Sequence, residues 1–291
     1  MAENSDKILN GKILRDKILD ELKSKIDKLP YSNRPRLEVI LIGDNSSSQI
    51  YVKNKKKFAE KIGIDCNINK FYDFDNEKHV TNKIKEFNND KRINGIIVQL
   101  PLPEKFNTEK IINSISPQKD VDGLTDVNKS LLYTGKTPYS YPCTPKGVLR
   151  LLDEYNIQIE GKHVVVIGRS YLVGKPLAQM LLNRNATVTT CHSKTENLAD
   201  IIKTADILIS AVGKKIVGEN MIKSGCTVVD VGIFKDESGK TTGDVDIDID
   251  NTKASFVTPT PGGVGPMTIA SLMENTFELF CEQNDMSAGS L

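Results

Sequence analysis

The sequence carries no excess of either charge, no long apolar run, and no grouping of its cysteines or histidines. Thirty-nine Lys and Arg offset 38 Asp and Glu, which leaves a formal net charge of +1 over 291 residues. Nucleic-acid binders usually show a basic excess, so this balance argues against a polyanion partner. No apolar stretch approaches the ~20 residues of a membrane helix, which excludes a helical span. The N-terminus is polar and charged and lacks an apolar signal segment, so a protein that is not exported is expected. The five cysteines, Cys66, Cys143, Cys191, Cys226 and Cys281, are scattered, odd in number and without C-x-x-C spacing. They suit neither a disulfide framework nor a zinc site. His79, His163 and His192 are too dispersed to suggest a metal cluster. The expectation is a soluble cytoplasmic protein of a reducing compartment, with no metal, no membrane association and no nucleic-acid partner.

What is present is an alternation of strand and helix patterns, and the length favours two domains over one. Residues Gly11–Lys28 space Leu14, Ile18, Leu22 and Ile26 four apart, which predicts a helix ending at Pro30. Strand Leu37–Ile42, helix Ser46–Ile64, strand Asp65–Phe71, helix Glu77–Asn88 and strand Gly95–Gln99 follow. This order predicts a parallel sheet covered by helices. Residues 116–145 are rich in proline and turn formers and place a domain boundary near Ser140. Helix Lys146–Tyr155 then leads into strand His163–Ile167, helix Val173–Leu182, strand Thr187–Thr190, helix Glu196–Thr204, and strands Ile207–Ser210 and Thr227–Val231. That is a doubly wound α/β pattern. A last helix is predicted over Gly265–Cys281.

The densest chemical signal lies in the second of these helices. At ~100° per residue, Ser48, Tyr51, Val52, Lys55, Phe58, Ala59 and Ile62 share one face. Lys53, Lys56, Lys57 and Lys61 share the other with Glu60. Lys55 therefore sits inside the apolar stripe. Either it snorkels to water, or it points into an active site where desolvation lowers its pKa and fits it for proton chemistry.

Four further motifs each leave two readings open. Gln99 ends a buried strand, where an amide needs partners. It caps its own turn, or it faces a ligand at the carboxyl end of the sheet. Asp120 and Asp122 either belong to an Asx-turn at Asp122-Gly123 or bind cations, amines or guanidine-like ring edges. The turn Gly168-Arg169-Ser170-Tyr171-Leu172-Val173-Gly174 is an ordinary strand-to-helix connection, or one whose amides at the helix start meet a phosphate. It departs from G-x-G-x-x-G, with Ser170 at the second glycine position. The next strand ends in Thr190-Cys191-His192-Ser193-Lys194 with no acid to hold ribose hydroxyls, so Arg169, Ser193 and Lys194 suit a ribose phosphate, and NADP over NAD. Pro261-Gly262-Gly263-Val264-Gly265-Pro266 is a tight linker into a helix, or a bare backbone surface for a flat ring.

Taken together, these segments resemble the FolD family of bifunctional methylenetetrahydrofolate dehydrogenase/methenyltetrahydrofolate cyclohydrolases. The matching pieces are Ser47–Lys55, Gly95–Pro103 (GIIVQLPLP), Lys119–Thr125 (KDVDGLT), Tyr141–Gly147 (YPCTPKG), Val166–Pro176 (VIGRSYLVGKP), Thr187–Thr195, Gly243–Val245 and Pro261–Thr268 (PGGVGPMT). The resemblance implies an α/β protein of two domains. One is an N-terminal catalytic, folate-binding domain, residues 1–140, completed by a C-terminal helix, 265–283. The other is a Rossmann-like NADP-binding domain, residues 141–264, and the cleft between the two holds folate and nicotinamide. It also implies Lys55 as the cyclohydrolase lysine, Gln99 as its hydrogen-bonding partner, Tyr51 as a pterin-stacking residue and Asp122 on the pterin edge. Val52, Val98, Leu100, Pro261, Gly262, Gly263, Val264 and Gly265 are implied around the folate, and Gly168, Arg169, Ser170, Ser193 and Ile233 around the dinucleotide. Family members are commonly homodimers acting on tetrahydrofolate derivatives.

Overall fold

The computed structural model describes residues 7–289; residues 1–6, from the expected first domain, and 290–291, from the end of the chain, lie outside the described residues. The chain divides into two compact units. The first comprises Lys17–Cys143 and the segment from Ile269 onward, and the second comprises Thr144–Thr268 and the segment ending at Asp16.

The first unit is built from α1 (Gly11–Ile26), β1 (Arg36–Ile42), α2 (Ser46–Lys61), β2 (Asp65–Phe71), α3 (Glu77–Asn89), β3 (Gly95–Val98), α4 (Thr108–Ile112) and α5 (Asp126–Tyr133). Its three strands are parallel in the order β2-β1-β3. Leu37–Ile42 of β1 and all of β3 are buried, as central parallel strands require. Helix α3 presents Val80, Ile84 and Phe87 to a core shared with Ile40, Ile42, Ile96 and Val98. Gly95 opens β3 because a Cβ there would lie 2.3 Å from the Val121 side chain. That close approach lets the segment carrying Asp120 run parallel to β3, where Ile96 and Asp120 form a bridge.

The second unit contains α6 (Cys143–Glu154), β4 (His163–Ile167), α7 (Gly174–Leu182), β5 (Thr187–Cys191), α8 (Leu198–Ile202), β6 (Ile207–Ser210), β7 (Val217–Gly218), β8 (Thr227–Asp230), β9 (Phe234–Lys235), β10 (Thr241–Thr242), β11 (Val245–Asp246) and β12 (Phe256–Val257). Five strands form a parallel sheet in the order β12-β8-β6-β4-β5. The first strand, β4, thus lies between the second and third, the doubly wound, Rossmann-like arrangement expected from the sequence. Val165, Ile167, Leu208 and Val228 centre its core.

The seam between the units falls inside three helices: α1, α6 and α9 (Val264–Gln283). The described residues before Lys17 group with the second unit. The reason is local. Ile8 bridges Val257, Leu9 N–H donates to the Val257 carbonyl at 2.9 Å, and Lys12 N–H to the Gly262 carbonyl at 3.0 Å. From Ile269 onward, α9 belongs to the first unit. There the Gln283 amide donates to the carbonyls of Asn94 (3.0 Å) and Gln118 (2.8 Å). Among the described residues, no helix is long and apolar enough to cross a membrane.

Candidate active site

Helix α2 begins where Asn45 accepts the Ser48 N–H at 2.9 Å, an N-cap that fixes which residues face the sheet. Ser48, Val52, Ala59 and Ile62 are buried, so the core of the predicted stripe holds. Lys55 does not snorkel: its Nζ donates to Gln99 Oε1 at 2.9 Å. Gln99 follows β3, its N–H held by the Ile40 carbonyl at 2.9 Å and its Nε2 donating to the Leu100 carbonyl at 2.6 Å. Each face of that amide is thus assigned, which orients the oxygen toward the lysine. The pair lies at the carboxyl end of the sheet, where strand order reverses around β1 and ligands of open α/β sheets bind. Tyr51, one turn before Lys55, is 48 % exposed. Val52 and Val98 are buried and Leu100 is half-buried.

The Lys119–Gly123 segment gives three polar side chains three different tasks. Lys119 is buried and donates to the carbonyls of Phe87 (3.0 Å) and Asp90 (2.7 Å), closing the end of α3. Asp120 is buried and accepts from Thr125 N–H at 2.8 Å and Asn128 Nδ2 at 3.0 Å, so it shapes the loop. Asp122 alone faces Lys55. Burial raises its pKa above the ordinary carboxylate value, while the Lys55 charge and hydrogen bonds from the Cys143 thiol and backbone oppose that rise. Burial likewise lowers the Lys55 pKa, and Asp122 first, then Cys143 and Cys66, work against it. The result is an amine and a carboxylate in one desolvated place, each pushed toward neutrality and each holding the other charged.

Cys143 and Asn275 belong to this neighbourhood and had no assigned role in the sequence reading. The Cys143 thiol donates to the Val121 carbonyl at 3.3 Å, and the Asn275 amide donates to that same carbonyl at 2.8 Å. The available signals were a cysteine set between Pro142 and Thr144-Pro145, and an asparagine inside a mostly apolar helix.

In the second unit, the turn after β4 is closed by its glycines. Gly168 has φ +123°, and a Cβ there would lie 2.6 Å from the Ala211 carbonyl oxygen. A Cβ on Gly174 would lie 2.2 Å from the Gly168 oxygen. Ser170 explains the departure from a glycine-only motif. Its hydroxyl accepts from Val173 N–H (3.2 Å) and Gly174 N–H (3.3 Å), so it caps α7. Those amides, expected to meet a phosphate, are taken by the serine, whose own hydrogen remains a donor. Arg169 and Ser193 are exposed just beyond the ends of β4 and β5, and Ile233 is exposed after β8. A side-chain-poor turn with an arginine and a serine beside it, and no acid ending β5, fits a dinucleotide bearing a ribose phosphate. Pro261–Gly265 belong to this second unit, whereas Lys55, Gln99 and Asp122 belong to the first.

Two buried acids hold the loops at the carboxyl end of this sheet. Asp244 accepts from Ser210 Oγ (2.8 Å), Val212 N–H (2.7 Å) and Lys214 N–H (2.9 Å), which clamps the loop carrying Ala211. Asp230 accepts from Asp244 N–H (2.9 Å) and Val245 N–H (3.2 Å). Burial pushes the Asp230 pKa from 3.8 up to about 6, although those two backbone bonds oppose it. A folded pKa above the unfolded one means that the folded chain keeps a proton the unfolded chain has lost. The associated stability is full below 3.8 and is lost as pH rises through about 6. At 1.36 kcal/mol per pKa unit, the loss is about 3 kcal/mol. Urea denaturation of the wild type and Asp230→Asn across this window should show the difference between them change by that order. A pH-independent difference would refute the assignment.

Comparison with known proteins places these features in a family. Residues 9–122 match the model "Tetrahydrofolate dehydrogenase/cyclohydrolase, catalytic domain", and residues 142–284 match the "NAD(P)-binding domain" model of the same name. The bifunctional protein FolD of Methanoculleus marisnigri is 50% identical over 272 residues, spanning 93% of this chain and 95% of that protein. The crystal structure of the bifunctional FolD enzyme of Campylobacter jejuni has a TM-score of 0.90 at 44% identity, covering 94% of this chain and 98% of that one. A Trypanosoma brucei FolD structure, described as complexed with NADP cofactor and inhibitor, has a TM-score of 0.90 at 34% identity, covering 94% of this chain and 97% of that one.

Proposed function

This chain belongs to the tetrahydrofolate dehydrogenase/cyclohydrolase family, and from that premise we propose that it oxidises methylenetetrahydrofolate with NADP and then hydrolyses the methenyl product to formyltetrahydrofolate. The observation that carries this reading is the Lys55–Gln99 hydrogen bond of 2.9 Å beside the Asp122 carboxylate. Hydride transfer needs two rings aligned and no strong acid or base, so positioning dominates that step. NADP supplies the hydride acceptor when bound. Hydrolysis needs water delivered to a cationic carbon and protons moved afterwards. Lys55, whose pKa is lowered by burial, suits that task, with Gln99 fixing its amine and Tyr51 offering an exposed ring for stacking. In this reading Asp122 accepts from the amino-pyrimidinone edge, with Val52, Val98 and Leu100 around the folate in the first unit, and the backbone of Pro261–Gly265 offers a surface for a flat ring of the folate. Gly168, Arg169, Ser170, Ser193 and Ile233 hold the dinucleotide. The protein works as a cytoplasmic homodimer whose formyl product supports one-carbon metabolism, including purine biosynthesis; sedimentation of the purified chain tests the dimer.

The direct test is turnover of methylenetetrahydrofolate with NADP and with NAD, and of supplied methenyltetrahydrofolate without either. Failure of both reactions would end this reading. Cofactor choice has its own test in Arg169→Ala. A charge-assisted hydrogen bond is worth about 1.5–3 kcal/mol, roughly ten- to a hundredfold in affinity. NAD lacks the ribose phosphate, so NADP binding should weaken by that amount and NAD binding should change little. Equal losses for both cofactors would show that Arg169 does not read the phosphate.

A further inference from the structure

Helix α9 carries a buried side chain whose hydrogen bonds lead away from its own helix. Asn275 is 0% exposed and lies among Leu272, Met273, Leu279 and Phe280, all buried. An amide in such surroundings is costly unless its hydrogens are spent. The neighbouring Thr276 spends its hydroxyl locally, on the Leu272 carbonyl at 2.7 Å. Asn275 instead donates through Nδ2 to the carbonyls of Val121 and Tyr141, both at 2.8 Å, and lies 3.6 Å from Cys143 Sγ. Val121 precedes Asp122. Tyr141 lies two residues before Cys143, whose thiol and backbone hydrogen-bond Asp122. One amide group therefore joins the turn that carries Asp122 to the turn that supports it.

We propose that Asn275 is a positioning residue for Asp122 and, through it, for Lys55. The inference rests on the folate reading of that site. Losing the amide takes the Asn275 donor from both carbonyls, leaves that of Val121 only the weaker Cys143 thiol bond, and unties the two turns from each other. Asp122 then drifts relative to both the folate edge and the Lys55 amine. The groups that face Lys55 are Asp122, Cys143 and Cys66, and those that face Asp122 are Lys55, Cys143 and Asp120. Only the Asp122 carboxylate carries a full opposing charge to the Lys55 ammonium, so its displacement favours the neutral amine.

The test uses the full chain with Asn275→Leu, which matches the volume and removes both donors, and Asn275→Ser, which keeps one donor and fits the site without crowding. A displacement of the order of 1 Å in a reacting group costs up to about a hundredfold. Both reactions should therefore lose roughly ten- to a hundredfold in kcat/KM, with NADP affinity, set in the other unit, unchanged. The limb of the cyclohydrolase pH profile set by Lys55 should move to lower pH, a shift that a general loss of stability would not produce. If the leucine variant does not fold, the serine variant decides. Folded variants that bind NADP and keep both rates and the wild-type pH profile overturn the inference while leaving the folate reading intact. A wild-type chain that turns over neither folate overturns both.

Discussion

Lys55→Met is expected to slow methenyltetrahydrofolate hydrolysis by about 10²–10⁴-fold, the usual contribution of a positioned proton-transfer group, while leaving measurable methylenetetrahydrofolate oxidation. Methionine keeps the length of the lysine stem and removes the amine that donates to Gln99 Oε1 at 2.9 Å. Hydride transfer takes no proton from that amine; hydrolysis of the methenyl cation requires proton movement. Methionine leaves the Asp122 carboxylate without its opposing charge and the Gln99 oxygen without its donor, and breaking a buried pair from one side is destabilising. Thermal denaturation should therefore find the variant folded but less stable than the wild type, and both rates are read well below its melting temperature. Lys56→Met is the control: Lys56 lies 3.5 Å from Glu60 in an exposed ion pair, a type worth ~0–1 kcal/mol. The two activities must be read separately, oxidation by methenyl product after acid quench and hydrolysis by decay of supplied methenyl substrate. Hydrolysis by Lys55→Met at the wild-type rate would return the lysine to a packing role.

The elements that were legible in the sequence are those whose pattern outlasts a few residues. Strands Asp65–Phe71, His163–Ile167 and Ile207–Ser210 have the bounds read from the sequence. Lys55 stood out because a charge interrupts a helical stripe whose neighbours Val52, Ala59 and Ile62 are buried. What stayed hidden has two physical causes. Strands β7 and β9–β12 are two residues long, too short to show any period. Helices α4 and α5 lie outside the long apolar patterns, and α5 sits in the turn-rich stretch 116–145, where its N-cap is Thr125. The other cause is distance along the chain. Asp120 and Asp122 are equivalent as letters; they separate only because Thr125 and Asn128 claim the first and Lys55 faces the second. Asn275 gains its partners at Val121 and Tyr141 from residues 154 and 134 positions away. The crossing between Asp16 and Lys17 left no mark in the sequence, since it falls inside the continuous Leu14, Ile18, Leu22, Ile26 stripe of α1.

Asp122→Asn is the companion experiment, and it should damage both reactions where Lys55→Met damages chiefly one. A carboxylate facing an amino-pyrimidinone edge accepts two hydrogen bonds. Asparagine offers one acceptor and turns a donor toward the second donor of the ring. Hydrogen bonds to charged groups are worth about 1.5–3 kcal/mol, so kcat/KM for either folate should fall roughly ten- to a hundredfold, mainly through KM. Hydrolysis carries a second penalty. Asp122 is the first of the groups that hold the Lys55 pKa up against burial. Its neutralisation lets that pKa fall further, so the cyclohydrolase pH profile should shift to lower pH, with no matching shift in oxidation. NADP binding should not change, because Arg169, Ser170 and Ser193 lie in the other unit. The measurements are folate titration, separate rate assays and the two pH profiles. Wild-type folate affinity and rates in Asp122→Asn would leave the carboxylate only the turn with Gly123.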